Sequence, residues 1–539
     1  MIALRHLELS LSGVAPRPSD SVRAVPAPTK RPSTRLATPL AIVAGAVLLR
    51  VISGVGFANY DTLYALVWGQ QLTRGETPQY GIPIAPTPHP LVEALGVVVA
   101  PFGPHAASQI AVALGFLALS ACGWAVYRLG ALWFNRPTGA VAALLLLTRV
   151  PILSYGVRAY VDVPYLLLVL CALILESRRR RAGAPVLALL ALAGLLRPEA
   201  WAFSGLYWLY LALPTVRARR GSVVEMRTAP GQFGAVAEIP RVSGADTDAP
   251  RTPGQLARLA LLAAAAPIVW VASDWAVTGN PAWSLTNTRH TAETLHRETG
   301  IAKVPEYIPR RIGEILGPYA LAAAALGGML SLAWLRTRAL PGALAGVVAV
   351  GVFAAFASAG LPIDERYAFL AAAILCVFAG AAVCGWMELP HDDPHRRWWM
   401  AVAGVSVIAL LASAPSQYRA NHHQLSALAR QQRIQNELTA LVRAGAITTR
   451  CEPIGVTNHA PVPLLALWLE TPPSEITNLQ VTRIAYGTFV DPANAEVQKE
   501  YILDPNDPHQ PVAVPAGFMV SHTDRSWRIL RRCAIRGGG

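Results

Sequence analysis

Asp61 stands just after the first apolar run of the chain, where a carboxylate can do acid–base chemistry. It begins a segment of helical composition, over about residues 62–74, and Gly75 follows as a residue that can end a helix. An aspartate that caps a helix accepts backbone N–H groups and stays ionised near neutral pH, as a general base for a hydroxyl group must be. Asp61 is therefore a candidate general base, and the alternative is that it only caps this helix.

Other charged residues stand at the ends of later apolar runs. The segments Arg158–Asp162, Arg197–Glu199 and Arg366–Tyr367 each join an arginine to an acidic or aromatic residue. Ionisable groups at the ends of membrane spans are costly and usually functional. All three segments fall at predicted outer ends, so we expect a polar chamber at the outer leaflet, with Asp162 as a second catalytic candidate. The alternatives are a plain helix cap at Asp162 and a local ion pair between Arg197 and Glu199.

The predicted outer loop at 278–317 is rich in basic residues, among them Arg289 and Arg310. Positive charge on an outer face opposes the usual topological bias, and phosphate is its natural partner because guanidinium groups bind phosphate oxygens bidentately. The alternative is a solvated loop with incidental charge. His89, between two prolines, is a secondary candidate, and the alternative for it is a structured turn.

The composition requires a membrane protein. Of 539 residues, 53% are hydrophobic and only 14% are charged, with a mean hydropathy of +0.38. Soluble proteins carry about 25% charged residues. The net charge of +14 comes almost wholly from arginines in short clusters between apolar runs, which is the pattern of topological signals. We therefore expect a lipid bilayer as partner and no nucleic acid.

Apolar runs predict eleven spans and a multi-pass protein of the plasma membrane. The arginine clusters fall on one side only if 185–196 and 199–214 form a hairpin, which makes the N-terminus cytoplasmic and the C-terminal region extracytoplasmic. Reading this stretch as one helix is the alternative, and it would reverse every later loop. The predicted spans are 39–57, 106–127, 138–153, 163–176, 185–196, 199–214, 257–277, 318–335, 342–360, 367–386 and 398–413.

Three regions follow from this pattern: a disordered cytoplasmic tail over 1–37, a transmembrane domain over 38–413 and a small extracytoplasmic α/β domain over 414–539. Short apolar runs in the last region predict strands near Ile454–Val456, Ile476–Ile484 and Phe518–Ser521. Cys451 and Cys533 are its two cysteines, and in an oxidising compartment we expect a disulfide between them. No pair of cysteines has metal-ligand spacing, so no zinc site is expected.

The loop sequences resemble those of the GT-C superfamily, the polytopic glycosyltransferases that use polyprenyl-phosphate-linked sugars. Asn59–Gly75 followed by Pro88-His89-Pro90 resembles their first outer loop, where the carboxylate is the catalytic base. Asp162 resembles their second outer-loop acid, and Glu365–Tyr367 resembles a late Arg-Tyr element. The closest branch is the family 39-like protein mannosyltransferases. The first loop has one acidic residue where many relatives have a pair, so no cofactor is expected and a divalent metal is left open.

The resemblance implies a mainly α, GT-C-like helix bundle that moves a sugar from a polyprenyl-phosphate donor to a glycan, lipid or protein acceptor with inversion. Asp61 and Asp162 are the expected catalytic residues. The expected donor phosphate- or substrate-binding residues are His89, Arg158, Arg197, Glu199, Arg289, Arg310, Arg366 and Tyr367. The main alternative is a transporter or lipid flippase, which predicts repeats and midplane charge. A structural or assembly protein is the third interpretation.

Overall fold

The structure is a computed structural model that describes residues 36–225, 251–502 and 513–533. The predicted tail lies almost wholly outside the described residues. The part up to Ala41 contributes only the start of the first helix, and every contact discussed below lies within Ile42–Gly539. This second unit is mainly helical, with one small sheet near its C-terminal end.

The helices begin and end close to the predicted spans. They are α1 (Ala37–Ser53), α2 (Tyr60–Thr73), α3 (Pro90–Val99), α4 (Gly103–Trp133), α5 (Arg136–Leu147), α6 (Val150–Val157), α7 (Asp162–Arg178), α8 (Ala184–Gly194), α9 (Glu199–Glu225), α10 (Pro253–Thr278), α11 (Trp283–Thr294), α12 (Val304–Trp334), α13 (Arg336–Ser358), α14 (Phe369–Cys384), α15 (Pro394–Arg443), α16 (Val462–Leu469) and α17 (Ala495–Val497). The strands are β1 (Ile454–Val456), β2 (Ile476–Asn478), β3 (Gly487–Pro492), β4 (Met519–Thr523) and β5 (Trp527–Arg532).

Ten of the eleven predicted spans each overlap one α-helix, and the span at 138–153 covers two, α5 and the start of α6. Length and composition support fewer crossings. Among the described residues, six helices are long and apolar enough to cross a membrane, or seven if the bent pair α5 and α6 forms one span. The predicted hairpin is present as two helices, because α8 ends before Arg197-Pro198 and α9 starts at Glu199. The count of eleven spans remains a prediction.

The centre of the bundle is α14, which is apolar on all sides and almost wholly buried, as a helix without a polar face should be. Glycines let the neighbouring helices approach it closely. A side chain at Gly327 of α12 would collide with the backbone of Phe378, and one at Gly380 with the backbone of Thr138 on α5. Both contacts lie in the second half of α14 and hold this helix between α12 and α5.

A break in α12 explains why one arginine, Arg149, is buried among the helices. Gly317 has φ +73, which interrupts the helix and frees the carbonyl of Leu316. Arg149 donates to that oxygen over 2.6 Å, and its Nε donates to the oxygen of Leu145 over 3.0 Å. Both carbonyls are thereby satisfied, so Arg149 stabilises a helix break.

The helix α2 is held close to α3 by two glycines. A Cβ added at Gly69 would lie 2.4 Å from the carbonyl carbon of Gly96, so only glycine permits this crossing. Asn59, and not Asp61, caps α2, because its side chain accepts from the backbone N–H groups of Asp61 and Thr62. The predicted helix is therefore confirmed and its predicted cap is wrong by two residues.

One 50-residue helix, α15, runs from the last predicted span into the C-terminal region, so the predicted domain boundary at 413/414 lies inside it. The sheet order is β2-β1-β3-β5-β4, with β1 parallel to β2 and β3 and the other pairs antiparallel. The predicted disulfide is confirmed, since Cys451 and Cys533 are bonded with their Cα atoms 5.3 Å apart. The predictions for β1, β2 and β4 are confirmed, and β3 and β5 were missed.

Candidate active site

A chamber of about 790 Å³ opens where the loops of the bundle meet the C-terminal region. Asp61 and His89 line it, together with four arginines and several aromatic side chains. The arginines are Arg158, Arg197, Arg297 and Arg366. These residues come from loops that the hairpin topology places at one end of the bundle, so the structure agrees with that topology.

Asp61 lies at the start of α2, freed from capping by Asn59. Its Oδ2 is 3.6 Å from Nη1 of Arg366, and its side chain is 20% exposed. Burial raises the pKa of Asp61 above its ordinary value, and the charge of Arg366 partly offsets the rise. A buried carboxylate with a raised pKa is a stronger base than a solvated one, provided that it is ionised.

The loop that carries Arg158 is joined to the start of α2. The backbone N–H and the side-chain Nδ2 of Asn59 both donate to the oxygen of Arg158, over 3.0 and 2.9 Å, and Thr62 Oγ1 donates to the oxygen of Ala159 over 2.7 Å. The guanidinium of Arg158 lies over the ring of Tyr160 at 4.8 Å. It has no carboxylate partner among the described residues, so its charge is available to a ligand.

Arg197 is different, because two carboxylates hold it. Its Nη1 is paired with Asp162 and its Nη2 lies 2.8 Å from Glu199. The guanidinium stacks on the ring of Tyr367 at 4.5 Å. Asp162 is 1% exposed, and neither acid is among the residues that line the chamber. The two acids also neutralise the charge of Arg197.

Arg366 and Arg297 share one carboxylate. Asp364 Oδ2 lies 3.2 Å from Nη2 of Arg366 and 3.6 Å from Nη1 of Arg297. The Nε of Arg366 is buried without a hydrogen-bond partner among the described residues. A buried donor left unpaired is costly, so this group favours an added acceptor. Arg366 thus lies between the base candidate Asp61 and the carboxylate of Asp364.

His89 lines the chamber beside Trp270, with the ring centroids 5.7 Å apart. Burial lowers the pKa of His89 to about 3, and the charges of Arg197 and Arg366 act in the same direction. His89 is therefore neutral at physiological pH. It can exchange hydrogen bonds with a substrate, but it does not supply positive charge for a phosphate.

Two predicted phosphate ligands lie away from the chamber lining. Arg289 donates to the oxygen of Ala359 over 2.7 Å, and Arg310 pairs with Glu314 one helical turn away at 2.9 Å with its side chain 58% exposed. The sequence prediction also missed lining residues. Arg297 belongs to the same basic loop and was not selected, and nothing in the sequence indicated Gln431, His459, Glu500 and Tyr501.

The described residues contain no group of three or more His, Cys, Asp and Glu side chains that could hold a metal ion. The chamber residues, Asp61 included, are instead arranged as pairs of carboxylates and guanidinium groups. The reaction proposed for this chamber uses these side chains.

The solved structures that are similar to this chain include the following two. ArnT from Cupriavidus metallidurans, bound to undecaprenyl phosphate, gives a TM-score of 0.48 at 16% identity over 94% of this chain and 100% of that chain. The oligosaccharyltransferase AglB from Archaeoglobus fulgidus, in complex with an inhibitory peptide and a dolichol-phosphate, gives a TM-score of 0.43 at 13% identity over 87% of this chain and 70% of that chain.

No family model and no curated protein matches the sequence. Because both TM-scores lie below 0.5, the case for function rests on the residues of the chamber.

Proposed function

We propose that this protein is a membrane glycosyltransferase that moves a sugar from a polyprenyl phosphate to an acceptor hydroxyl, with inversion. The observation that carries the proposal is the position of Asp61, a partly buried carboxylate with a raised pKa, in one chamber with Arg158, Arg297 and Arg366, of which Arg158 has no carboxylate partner among the described residues. A general base and a site for a departing phosphate are the two parts that this reaction requires.

The phosphate end of the chamber is defined by Arg158, Arg297 and Arg366. Arg158 has no carboxylate partner among the described residues, and the other two share Asp364. As the bond from the anomeric carbon to the phosphate oxygen breaks, negative charge grows on that oxygen, and these guanidinium groups stabilise it. Arg197, which two acids neutralise, keeps Tyr367 in place.

Asp61 takes the proton from the acceptor hydroxyl as its oxygen attacks the anomeric carbon. Attack from the face opposite the departing phosphate inverts that carbon. Asp61 and Arg366 are in contact at 3.6 Å, so the donor sugar lies in the open chamber beside this pair and not between the two side chains. Arg366 keeps Asp61 ionised while it binds the phosphate.

An apolar groove of about 450 Å³ between α12, α13 and α14 supports a lipid-linked donor. Val350 lines this groove, and Phe353, three residues further along α13, stacks on Tyr367 at 5.6 Å. Because Tyr367 lines the chamber, the stacked pair of Phe353 and Tyr367 connects the end of the groove with the chamber. A polyprenyl chain can lie there while its phosphate reaches the arginines.

The test uses purified full-length protein in lipid nanodiscs with radiolabelled polyprenyl-phosphate sugars. Asp61→Asn should lower turnover by about 10²–10⁴-fold while the donor still binds, since general-base catalysis is lost. Arg158→Gln and Arg366→Gln should weaken donor binding by roughly ten- to a hundredfold. The matched control is Arg310→Gln, which removes an arginine outside the chamber and should leave both quantities unchanged.

Asn59 provides the cap, so Asp61→Asn tests chemistry and not helix stability. Turnover at the wild-type rate by a folded Asp61→Asn protein would reject the proposed base. Movement of intact donor across the bilayer without bond cleavage would reject the transferase and support the flippase alternative.

A further inference from the structure

One wall of the chamber belongs to the C-terminal region and has no role in donor binding. We call it the C-terminal wall, and with Tyr60 of α2 it consists of Gln431, His459, Glu500 and Tyr501. Tyr60 directly precedes Asp61, so this wall begins beside the proposed base. Its chemistry therefore bears on the acceptor, and the inference that follows rests on the proposed transferase function.

The segment that carries Glu500 is a single π turn, Gln498–Ile502, held at several points. Arg430 of α15 binds Glu500 Oε1 through Nε and Nη2, at 3.1 and 2.9 Å. Gln431 donates to the backbone oxygen of Glu500 over 2.8 Å, and Asn458 donates to the backbone oxygen of Ile502. Such turns often mark functional positions, and these bonds fix this one before any ligand arrives.

The aromatic members of the wall are also fixed. Tyr60 meets His459 edge to face, with ring centroids 5.5 Å apart, and donates its hydroxyl to the oxygen of Ile84. Tyr501 packs edge to face on Trp527 at 5.9 Å. Because the hydroxyl of Tyr60 is bonded within the protein, the Tyr60 ring presents mainly carbon surface to the chamber.

The carboxylate completes the pattern. Both bonds from Arg430 reach Oε1, and Glu500 Oε2 has no hydrogen-bond donor among the described residues. Arg430 forms an ion pair with Glu500. The described residues of this wall therefore include no unpaired cation that could bind an anion. It offers aromatic surface and a free carboxylate oxygen, whereas the phosphate end offers guanidinium groups.

We propose that the C-terminal wall binds the acceptor, that the acceptor is an uncharged sugar of a glycan, and that Glu500 determines this specificity. A pyranose or furanose ring has an apolar C–H face that packs on aromatic rings and a rim of hydroxyls that donate to a carboxylate. A phosphorylated acceptor would meet the charge of Glu500. The bound sugar lies between this wall and Asp61, which takes the proton of one of its hydroxyls.

The test compares Glu500→Gln with Glu496→Gln in full-length protein, using labelled polyprenyl-phosphate sugar and three acceptor sets: octyl glycosides of neutral sugars, their phosphorylated forms and a serine/threonine peptide. Glu496 pairs with Arg433 at 2.7 Å close to the same turn but does not line the chamber. Glu500→Gln should raise the acceptor KM about tenfold, and leave slow donor hydrolysis by water unchanged, because one charged hydrogen bond is weakened. Glu496→Gln should match the wild type.

A second pair keeps the test independent of Arg430. Tyr501→Phe keeps the ring and should keep the acceptor KM, whereas Tyr501→Leu should raise it. Transfer only to phosphorylated sugars or to the peptide, or an unchanged acceptor KM in Glu500→Gln, would overturn the inference while donor cleavage still occurs. Absence of donor cleavage in the wild type would instead overturn the proposed function itself.

Discussion

Asp61 and Arg366 face each other at 3.6 Å, too far for a full hydrogen bond but close enough for their charges to interact. A base locked in a short hydrogen bond would give up its acceptor oxygen to the protein. This spacing leaves the oxygen accessible, while the cation opposes the rise in pKa that burial causes. The pair thus balances basicity against ionisation, and the balance can be measured.

The pH dependence of turnover should report this balance. Activity requires ionised Asp61, so kcat at saturating donor should fall as the pH drops through its pKa, at a midpoint above the ordinary aspartate value of about 3.9. Arg366→Gln should move this acid limb to higher pH, because the cation that lowers the pKa is gone. Arg310→Gln should leave the limb in place. A limb that Arg366→Gln does not move would mean that another group titrates.

The sequence identified which end of a span each charge occupies, but not the direction in which its side chain points. Asp61, Arg158 and Arg366 lie directly at helix ends, where a side chain has few possible orientations. All three line the chamber, as expected. The loop at 278–317 holds several basic residues, and their contacts depend on how α11 folds back, so selecting Arg289 over Arg297 had no physical basis. Glu500 lies in a turn after β3. Its position beside the chamber depends on how strands distant in sequence pair in the sheet, which the sequence pattern does not specify.

At the scale of elements, α2 carries the base and α3 holds α2 in place. Gly96→Ala should push these helices apart, since the added Cβ would lie 2.6 Å from the oxygen of Ala65. Thermal unfolding in detergent should show a loss of about 1–3 kcal/mol, and turnover should fall as Asp61 shifts. Gly351→Ala on α13, where nothing lies within 4 Å, is the control and should change neither. Equal behaviour of the two variants would contradict this role of α3.

The disulfide is the covalent brace of the sheet region. It joins residues 82 apart in sequence, and in the chain-entropy model such a closure contributes about 4 kcal/mol. We therefore expect limited proteolysis near the C-terminal wall to be faster than in the wild type, and by the same factor in Cys451→Ser, Cys533→Ser and the double variant. Donor binding should survive, because the arginines lie outside the sheet. Two reactive thiols in the unreduced wild type would show that the bond is absent.

At the scale of the whole molecule, the residues that line the chamber bear on whether α8 and α9 form a hairpin, a question that hydropathy alone left open. The chamber collects residues from loops before and after the α8–α9 break, including Asp61, Arg297 and Arg366. A single helix across Arg197-Pro198 would place the first of these on the opposite side of the membrane from the other two. If the other predicted spans all cross, this common site requires that α8 and α9 both cross or neither crosses. Only the direction that the chamber faces still depends on the arginine clusters.

That direction can be read by labelling single introduced cysteines in intact cells with a membrane-impermeant maleimide. Thr482→Cys, exposed in the C-terminal region, should react at once, and Arg180→Cys, exposed within a basic cluster, should react only after permeabilisation. We expect little labelling of the native cysteines, because Cys122, Cys376 and Cys384 are buried and Cys171 is partly buried.

The two positions make each failure informative. Reaction of both without permeabilisation would contradict the hairpin count, because it would put the basic cluster on the same side as the C-terminal region. Reaction of Arg180→Cys alone would reverse the whole molecule and open the chamber to the cytoplasm. Since polyprenyl-phosphate sugars would then have to be used on the side where nucleotide sugars are available, that result would remove the reason for a lipid-linked donor.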